Sequence, residues 1–333
     1  MAYTTIDDPS AYFKVQKYTG TSSSTTITFD DTDTDMQPDM VWAKATAQTE
    51  APCIYDSVRG TGKRLLTDRD TAENDEGSNG ISAFNSDGFT TGEQGASGQN
   101  TYTYVAWCWK ESATAGFDIV TYTGDGSTRT ISHSLSAVPN LAIIRCRSDA
   151  RSWVVTNTTL GWTGRAFLDA TDAWGANSGE FNDTAPTSSV FTLGADYRTN
   201  KDTETYVAYL WKNVQGFFKT GTYIGNGNND GPFVYTGFKP ALITVKRTSG
   251  TGSWNVFDNK REGFNPDNSN LYWNTNSAEQ TDSDRTNPID FLSNGFKLRG
   301  TDTDVNGSGG TYIYMAWAEA PFVNSNGVPN NAE

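Results

Sequence analysis

One short pattern occurs three times in this chain and limits its fold more than any other feature. Tyr104-Val105-Ala106-Trp107-Cys108-Trp109-Lys110 returns as Tyr206-Val207-Ala208-Tyr209-Leu210-Trp211-Lys212, and again as Tyr312-Ile313-Tyr314-Met315-Ala316-Trp317-Ala318. In each copy a Tyr precedes a Trp by five positions. A second landmark, a Pro opening an apolar run that ends in a cation, appears at Pro38 to Lys44, Pro139 to Arg145 and Pro240 to Lys246, with a shift of 101 residues each time. Upstream stand Phe13, Tyr18 and Gly20, then Phe117, Tyr122 and Gly124, then Phe218, Tyr223 and Gly225; Phe89, Phe191 and Phe296 precede the terminal Tyr of each copy. Ordered landmarks at one period of about one hundred residues mark tandem repeats.

The repeat sets the expected boundaries: an N-terminal arm at 1–10, three repeats at 11–112, 113–213 and 214–322, and a flexible C-terminal tail at 323–333. The joints are only a few residues long, which implies units packed against each other. In the third copy Ala318 stands where Lys110 and Lys212 stand, so the last repeat is expected to end against something different, solvent or a partner.

Helical periodicity is nearly absent. Short apolar runs alternate with turn signals such as Ser86-Asp87-Gly88 and Gly124-Asp125-Gly126. The second copy predicts strands at 117–122, 141–146, 153–156, 165–168, 190–193 and 205–211, and the third predicts one continuous strand at 291–298. The fold class that follows is all-β: three tandem β-sandwich domains, jelly-roll or Ig-like. The strand from Tyr to Trp carries large side chains on both faces of the pleat and reads as covered on both sides.

A net charge of −14 argues against a nucleic-acid surface, which needs a basic footprint. Cys53, Cys108 and Cys146 do not recur at equivalent positions and do not read as a disulfide framework. The opening Met1–Asp8 has no basic stretch followed by an apolar one and does not read as a signal peptide, and no apolar run is long enough to span a membrane.

The search for chemistry yields little. The single histidine, His133, lies outside any nucleophile-elbow context. No Cys/His cluster has zinc spacing and no phosphate- or dinucleotide-binding loop is present. Carboxylates are abundant but run through loops: Asp30, Asp31, Asp33 and Asp35, Asp68 to Glu76, and Asp302 and Asp304. Solvated carboxylates lack the apolar surroundings that tune a catalytic acid, and these runs lack the glycine and distal glutamate of an EF-hand loop. The expectation is therefore a non-enzyme with no cofactor, no catalytic residues and no metal. Trp162, Trp174 and Trp273 fall outside the strand pattern; aromatic side chains on loops are candidates for stacking on a ligand or anchoring a partner.

The chain resembles repeated-domain virion structural or tail-fibre-like proteins of tailed bacteriophages, especially marine ones. The residues that carry the resemblance are 1–13, 55–60, 84–90, 103–110, 184–191, 230–238, 289–298 and 312–322, and they cover nearly the whole chain. The resemblance implies a virion component assembled in the host cytoplasm and transfers no catalytic residue. The expected function is a non-enzymatic surface protein of the tail-fibre or adhesin type, contacting the host through loops of three β-domains. Its expected partners are other virion proteins and a host surface glycan or protein. A homo-oligomer is expected, with neither nucleic acid nor membrane insertion. The alternatives are a capsid decoration, head-fibre or adaptor protein, and a carbohydrate-binding or carbohydrate-active protein, the last requiring two carboxylates converging in a groove.

Overall fold

The computed structural model describes residues 3–31, 34–267, 269–280 and 288–330. Each repeat folds into a large antiparallel sheet and a smaller one. In the first repeat the strands are β1 (Phe13–Thr19), β2 (Thr25–Thr28), β3 (Met40–Ala45), β4 (Cys53–Asp56), β5 (Lys63–Leu66), β6 (Asn74–Asp75), β7 (Ile81–Asn85), β8 (Gly88–Thr91) and β9 (Thr103–Trp109). The large sheet has the order β1-β9-β3-β4-β5-β6 and the small one β2-β8-β7. The second repeat contributes β10 (Phe117–Thr123), β11 (Arg129–Ser132), β12 (Leu141–Cys146), β13 (Val154–Asn157), β14 (Gly161–Phe167), β15 (Gly175–Ala176), β16 (Val190–Leu193) and β17 (Thr205–Trp211). These form β10-β17-β12-β13-β14-β15 and β11-β16. The third has β18 (Phe218–Ile224), β19 (Phe233–Tyr235), β20 (Phe238–Arg247), β21 (Trp254–Asp258), β22 (Leu271–Tyr272), β23 (Ile289–Leu292), β24 (Gly295–Leu298) and β25 (Thr311–Pro321), in sheets β18-β25-β20-β21-β22 and β19-β24-β23.

The same wiring thus occurs three times. The first strand of each repeat pairs with the last in the large sheet, and the second pairs with the strand that crosses back before it in the small sheet. This is a jelly-roll kind of wrap. The continuous strand expected over 291–298 is instead a hairpin, because Ser293 and Asn294 turn the chain between β23 and β24.

Strand parity explains the Tyr-to-Trp spacing. Five positions along a strand place two side chains on opposite faces. Tyr104 belongs to the first repeat's own core, with Ile27, Phe89 and Cys108, and Tyr206 sits likewise with Ile131, Phe191 and Leu210. Each tyrosine stacks on the Tyr of the paired first strand: Tyr18 with Tyr104 at 5.1 Å, Tyr122 with Tyr206 at 5.2 Å, and Tyr223 with Tyr312 at 5.0 Å. The hydroxyls clamp equivalent loops: Tyr104 donates to Gly95 O, Tyr206 to Tyr197 O and Tyr312 to Thr303 O. Gly20, Gly124 and Gly225 are glycine because a Cβ there would come within 2.1, 2.1 and 2.4 Å of a carbonyl oxygen in that same loop.

The tryptophans face the other way and meet each other. Trp109 lies 6.3 Å from Trp211 and 5.3 Å from Trp317, and Trp211 lies 5.9 Å from Trp317, all edge to face. Each is backed by the phenylalanine opposite it in register, Phe13, Phe117 or Phe218, at 4.8 to 5.0 Å. Equivalent residues of three repeats around one point define a pseudo-threefold axis. The large sheets are therefore buried on both faces, one against their own small sheet and one against the axis.

The described parts of the expected arm and flexible tail, residues 3–10 and 323–330, are docked on the repeats. Thr4 and Ile6 are buried, Thr4 Oγ1 donates to Gln215 O at 2.7 Å, and Tyr3 OH donates to Gly237 O. The tail folds back through a bridge between Val323 and Pro329; Ser325 donates to Asp7, and Asn330 to Ser293 O. Ala318 is buried within an extended β25, so this chain itself covers the end of the third repeat. Residues 1, 2 and 331–333 of the expected arm and tail lie outside the described residues.

Candidate functional site

The three seams between repeats hold a recurring set of buried polar contacts. At the first seam Tyr209 OH donates to Asp56 Oδ2 at 2.6 Å. At the third, Trp107 Nε1 donates to Asp258 Oδ2 at 3.1 Å, and at the second, Asn157 Nδ2 donates to Thr220 Oγ1. Asp56, Asn157 and Asp258 end equivalent strands, and Tyr209 and Trp107 are themselves equivalent. Indole donors cross two seams at matching positions: Trp153 Nε1 to Leu66 O at 2.8 Å and Trp254 Nε1 to Phe167 O at 2.9 Å. Pro52 replaces that donor in the first repeat. There Thr67 Oγ1 donates to Trp273 O, and the Trp273 ring stacks on Trp42 at 3.9 Å.

The cation that closes each Pro-initiated strand reaches into a seam. Arg145 donates to Thr71 O, Lys246 to Thr171 O at 3.3 Å, and Lys44 to Asn276 O at 3.5 Å. All three cations are fully buried. Burial pushes the Lys44 and Lys246 ammonium groups down to about 8 and the Arg145 guanidinium down to about 10. They read in the sequence as strand ends, and only the packed structure shows that they bind the repeats together.

Two of the three tryptophans expected on loops are buried. Trp162 is 3% exposed, because β14 begins at Gly161 and turns the ring onto Phe181. Trp273 is 0% exposed and belongs to the central aromatic cluster. Trp174 is half-buried, and its backbone N–H donates to Thr248 O across the second seam. Trp162 and Trp273 therefore present no open stacking face, whereas Trp174 keeps part of its ring surface exposed. The exposed large apolar side chains lie elsewhere: Val58 in the first repeat, Val138 and Tyr197 in the second, Ile224, Phe233, Tyr235 and Phe264 in the third, and Val328 in the folded tail. Phe233 and Tyr235 flank buried Val234 on edge strand β19, where β2 has Thr26 and Thr28 and β11 has Thr130 and Ser132. The signal was present in the sequence as Phe233-Val234-Tyr235, but only the strand register separates the two outward aromatic residues from the inward valine.

Among the described residues no group of three or more His, Cys, Asp or Glu side chains is placed to hold a metal ion. Asp31 pairs with Lys14, Asp302 accepts from the Asp304 N–H and Asp304 from the Ser253 N–H. Asp33, part of the first acidic run, lies outside the described residues. Burial raises Asp267 to about 8, and burial with the neighbouring Asp118 raises Glu111 to about 7. Asp118, His133 and Ser134 line one shallow groove with Val58. There Ser134 Oγ donates to Asp118, while the His133 ring faces Thr187 O and the Leu135 N–H, so no Ser–His pair forms. All three cysteines are free thiols and buried.

The sequence matches the family described as domain of unknown function DUF7483 over residues 8–321. The chain belongs to the DUF7483 family. One DUF7483 match spans all three repeats, from Asp8 through Pro321, so the family unit coincides with the closed ring. No protein of curated function matches the chain.

Proposed function

We propose that this DUF7483 chain is a non-enzymatic bacteriophage virion surface protein of the tail-fibre or adhesin type, contacting the host surface through one side of its three-repeat ring. The observation that carries this reading is the uneven distribution of exposed apolar side chains. Ile224, Phe233, Tyr235 and Phe264 all lie on the third repeat, with Val328 following it. Solvent-exposed aromatic side chains on a rigid scaffold are contact groups, since each offers a large area at little entropic cost. A core shared by three sandwiches suits a particle component that must keep its shape outside the cell. The resemblance to tail-fibre-like proteins points the same way, and multivalent display would multiply weak contacts.

The pseudo-threefold ring favours a second reading, capsid decoration, in which a broad face docks on a symmetric shell. Electron microscopy of particles with the protein labelled at Val328 separates the two. Label at the tail supports the adhesin reading. Label at many capsid positions overturns it in favour of decoration.

A further inference from the structure

We propose that the seam between the third and first repeats is a binding site for a guanidinium group. The proposal stands apart from the adhesin reading and rests on comparing two seams of the same molecule.

At the first seam, Glu73 carries two guanidinium groups. Arg59 Nη1 reaches Oε2 at 2.8 Å from within the first repeat, and Arg147 of the second repeat adds Nη2 to Oε1 at 2.9 Å and Nε to Oε2 at 3.0 Å. The Glu73 N–H donates to Arg147 O at 2.8 Å, and the Arg147 N–H donates to Thr205 O at 2.7 Å. The third seam reproduces this frame. Glu279 takes Arg261 Nη1 on Oε1 at 2.5 Å, its N–H donates to Thr46 O at 2.7 Å, and the Thr46 N–H donates to Thr103 O at 2.8 Å. Arg261 in turn grips Asp258 as Arg59 grips Asp56.

Among the described residues no group matches the Arg147 guanidinium. Thr46 occupies the backbone position of Arg147, and its hydroxyl turns back onto Thr103 Oγ1 at 2.7 Å. Among the described residues nothing donates to Glu279 Oε2. The Glu279 side chain is 21% exposed against 12% for Glu73. Where the Arg147 side chain lies at the first seam, the third has a cleft of about 410 Å³ lined by Thr46, Thr103, Tyr104, Arg261, Glu279 and Lys17. The protein's own first seam shows what fits: a planar donor fork, bidentate on a carboxylate that already carries one guanidinium. Lys17, which stands where the first seam has Thr121, lines the same cleft, so its positive charge opposes a cationic guest there.

The guest is free arginine-like guanidine or an arginyl side chain offered by a partner protein. The test is a titration of the full chain with methylguanidinium at low millimolar concentration and constant ionic strength, read by the shifts of backbone amide signals around Glu279. Expected is a saturable shift that equal methylammonium does not give, weakened at least tenfold in Thr46→Arg, whose new side chain fills the cleft, and strengthened in Lys17→Thr. Glu279→Gln gives the same loss without filling the cleft. A Gly-Arg-Gly peptide that binds more tightly than methylguanidinium identifies the partner-borne side chain, and equal binding identifies the free ligand. A response that is absent, is matched by methylammonium, or survives in both Thr46→Arg and Glu279→Gln overturns the proposal.

Discussion

The Tyr209 hydroxyl donates to the Asp56 carboxylate at 2.6 Å across the first seam. Asp56 is fully buried and also pairs with the buried Arg59. Tyr209→Phe leaves one acceptor site of Asp56 unfilled and is expected to lower stability by about 1 kcal/mol. Asp56→Ala removes the carboxylate held by the Arg59 Nε, leaves the buried guanidinium with Glu73 as its ionic partner, and is expected to cost about 3 kcal/mol. Urea denaturation of the two variants checks the order; equal losses would mean that the hydroxyl, not the ion pair, dominates this seam.

The Trp109, Trp211 and Trp317 indole N–H groups find no acceptor among the described residues. Their contribution is therefore volume and ring contact. Truncation of any one to Ala is expected to cost about 3–5 kcal/mol, and Trp→Phe much less. Because the three rings touch, the double variant Trp109→Ala/Trp211→Ala should depart from the sum of the single ones by about 0.5 kcal/mol or more. Additive losses would place the rings in independent environments.

Lys44 and Lys246 give the fold a defined pH response. Their folded values lie near 8, below the ordinary 10.5. Between these values the unfolded chain holds protons that the folded chain has released, so stability rises with pH through this window. Each lysine is expected to add on the order of 2 kcal/mol between pH 7 and 9.5. Lys44→Met should reduce that rise when urea midpoints are compared at the two pH values. An unchanged slope would show that Lys44 titrates normally.

Burial pushes the Cys53 thiol up to about 12 and raises Cys108 and Cys146 as well. Thiolate is the reactive form, so a thiol reagent at pH 8 should label none of the three cysteines in the folded protein and all three in denaturant. Prompt labelling of the native chain would show that a seam or core opens readily.

Residues 3–10 behave as part of the fold. Deleting residues 1–8 removes the buried Thr4 and Ile6 and exposes Gln215 O, and is expected to lower the melting temperature by several degrees. An unchanged melting temperature would return this segment to the role of a free arm.

The sequence was legible where repetition did the reading. The strands at Leu141–Cys146, Val190–Leu193 and Thr205–Trp211 fall at the positions expected from the pattern. The Tyr–Trp spacing pointed to burial on both faces, although the meeting of the three tryptophans depends on how whole sheets pack, which no local pattern encodes. Trp162 and Trp273 looked like loop aromatics because glycine and asparagine surround them, yet β14 and the third seam draw both inside. The buried cations Lys44, Arg145 and Lys246 were visible as a recurring landmark, but their partners are backbone carbonyls of the neighbouring repeat, which carry no side-chain signature. The place beside Glu279 that no described residue fills has no sequence signature, because the equivalence of Thr46 and Arg147 lies in their shared backbone hydrogen bonds.

Calorimetric unfolding of the full chain tests the central claim, that three repeats form one ring closed around Trp109, Trp211 and Trp317. A single transition whose calorimetric enthalpy equals its van't Hoff enthalpy is the predicted result. Three separable transitions, each near one third of the total enthalpy, would contradict it and return the chain to three independent domains.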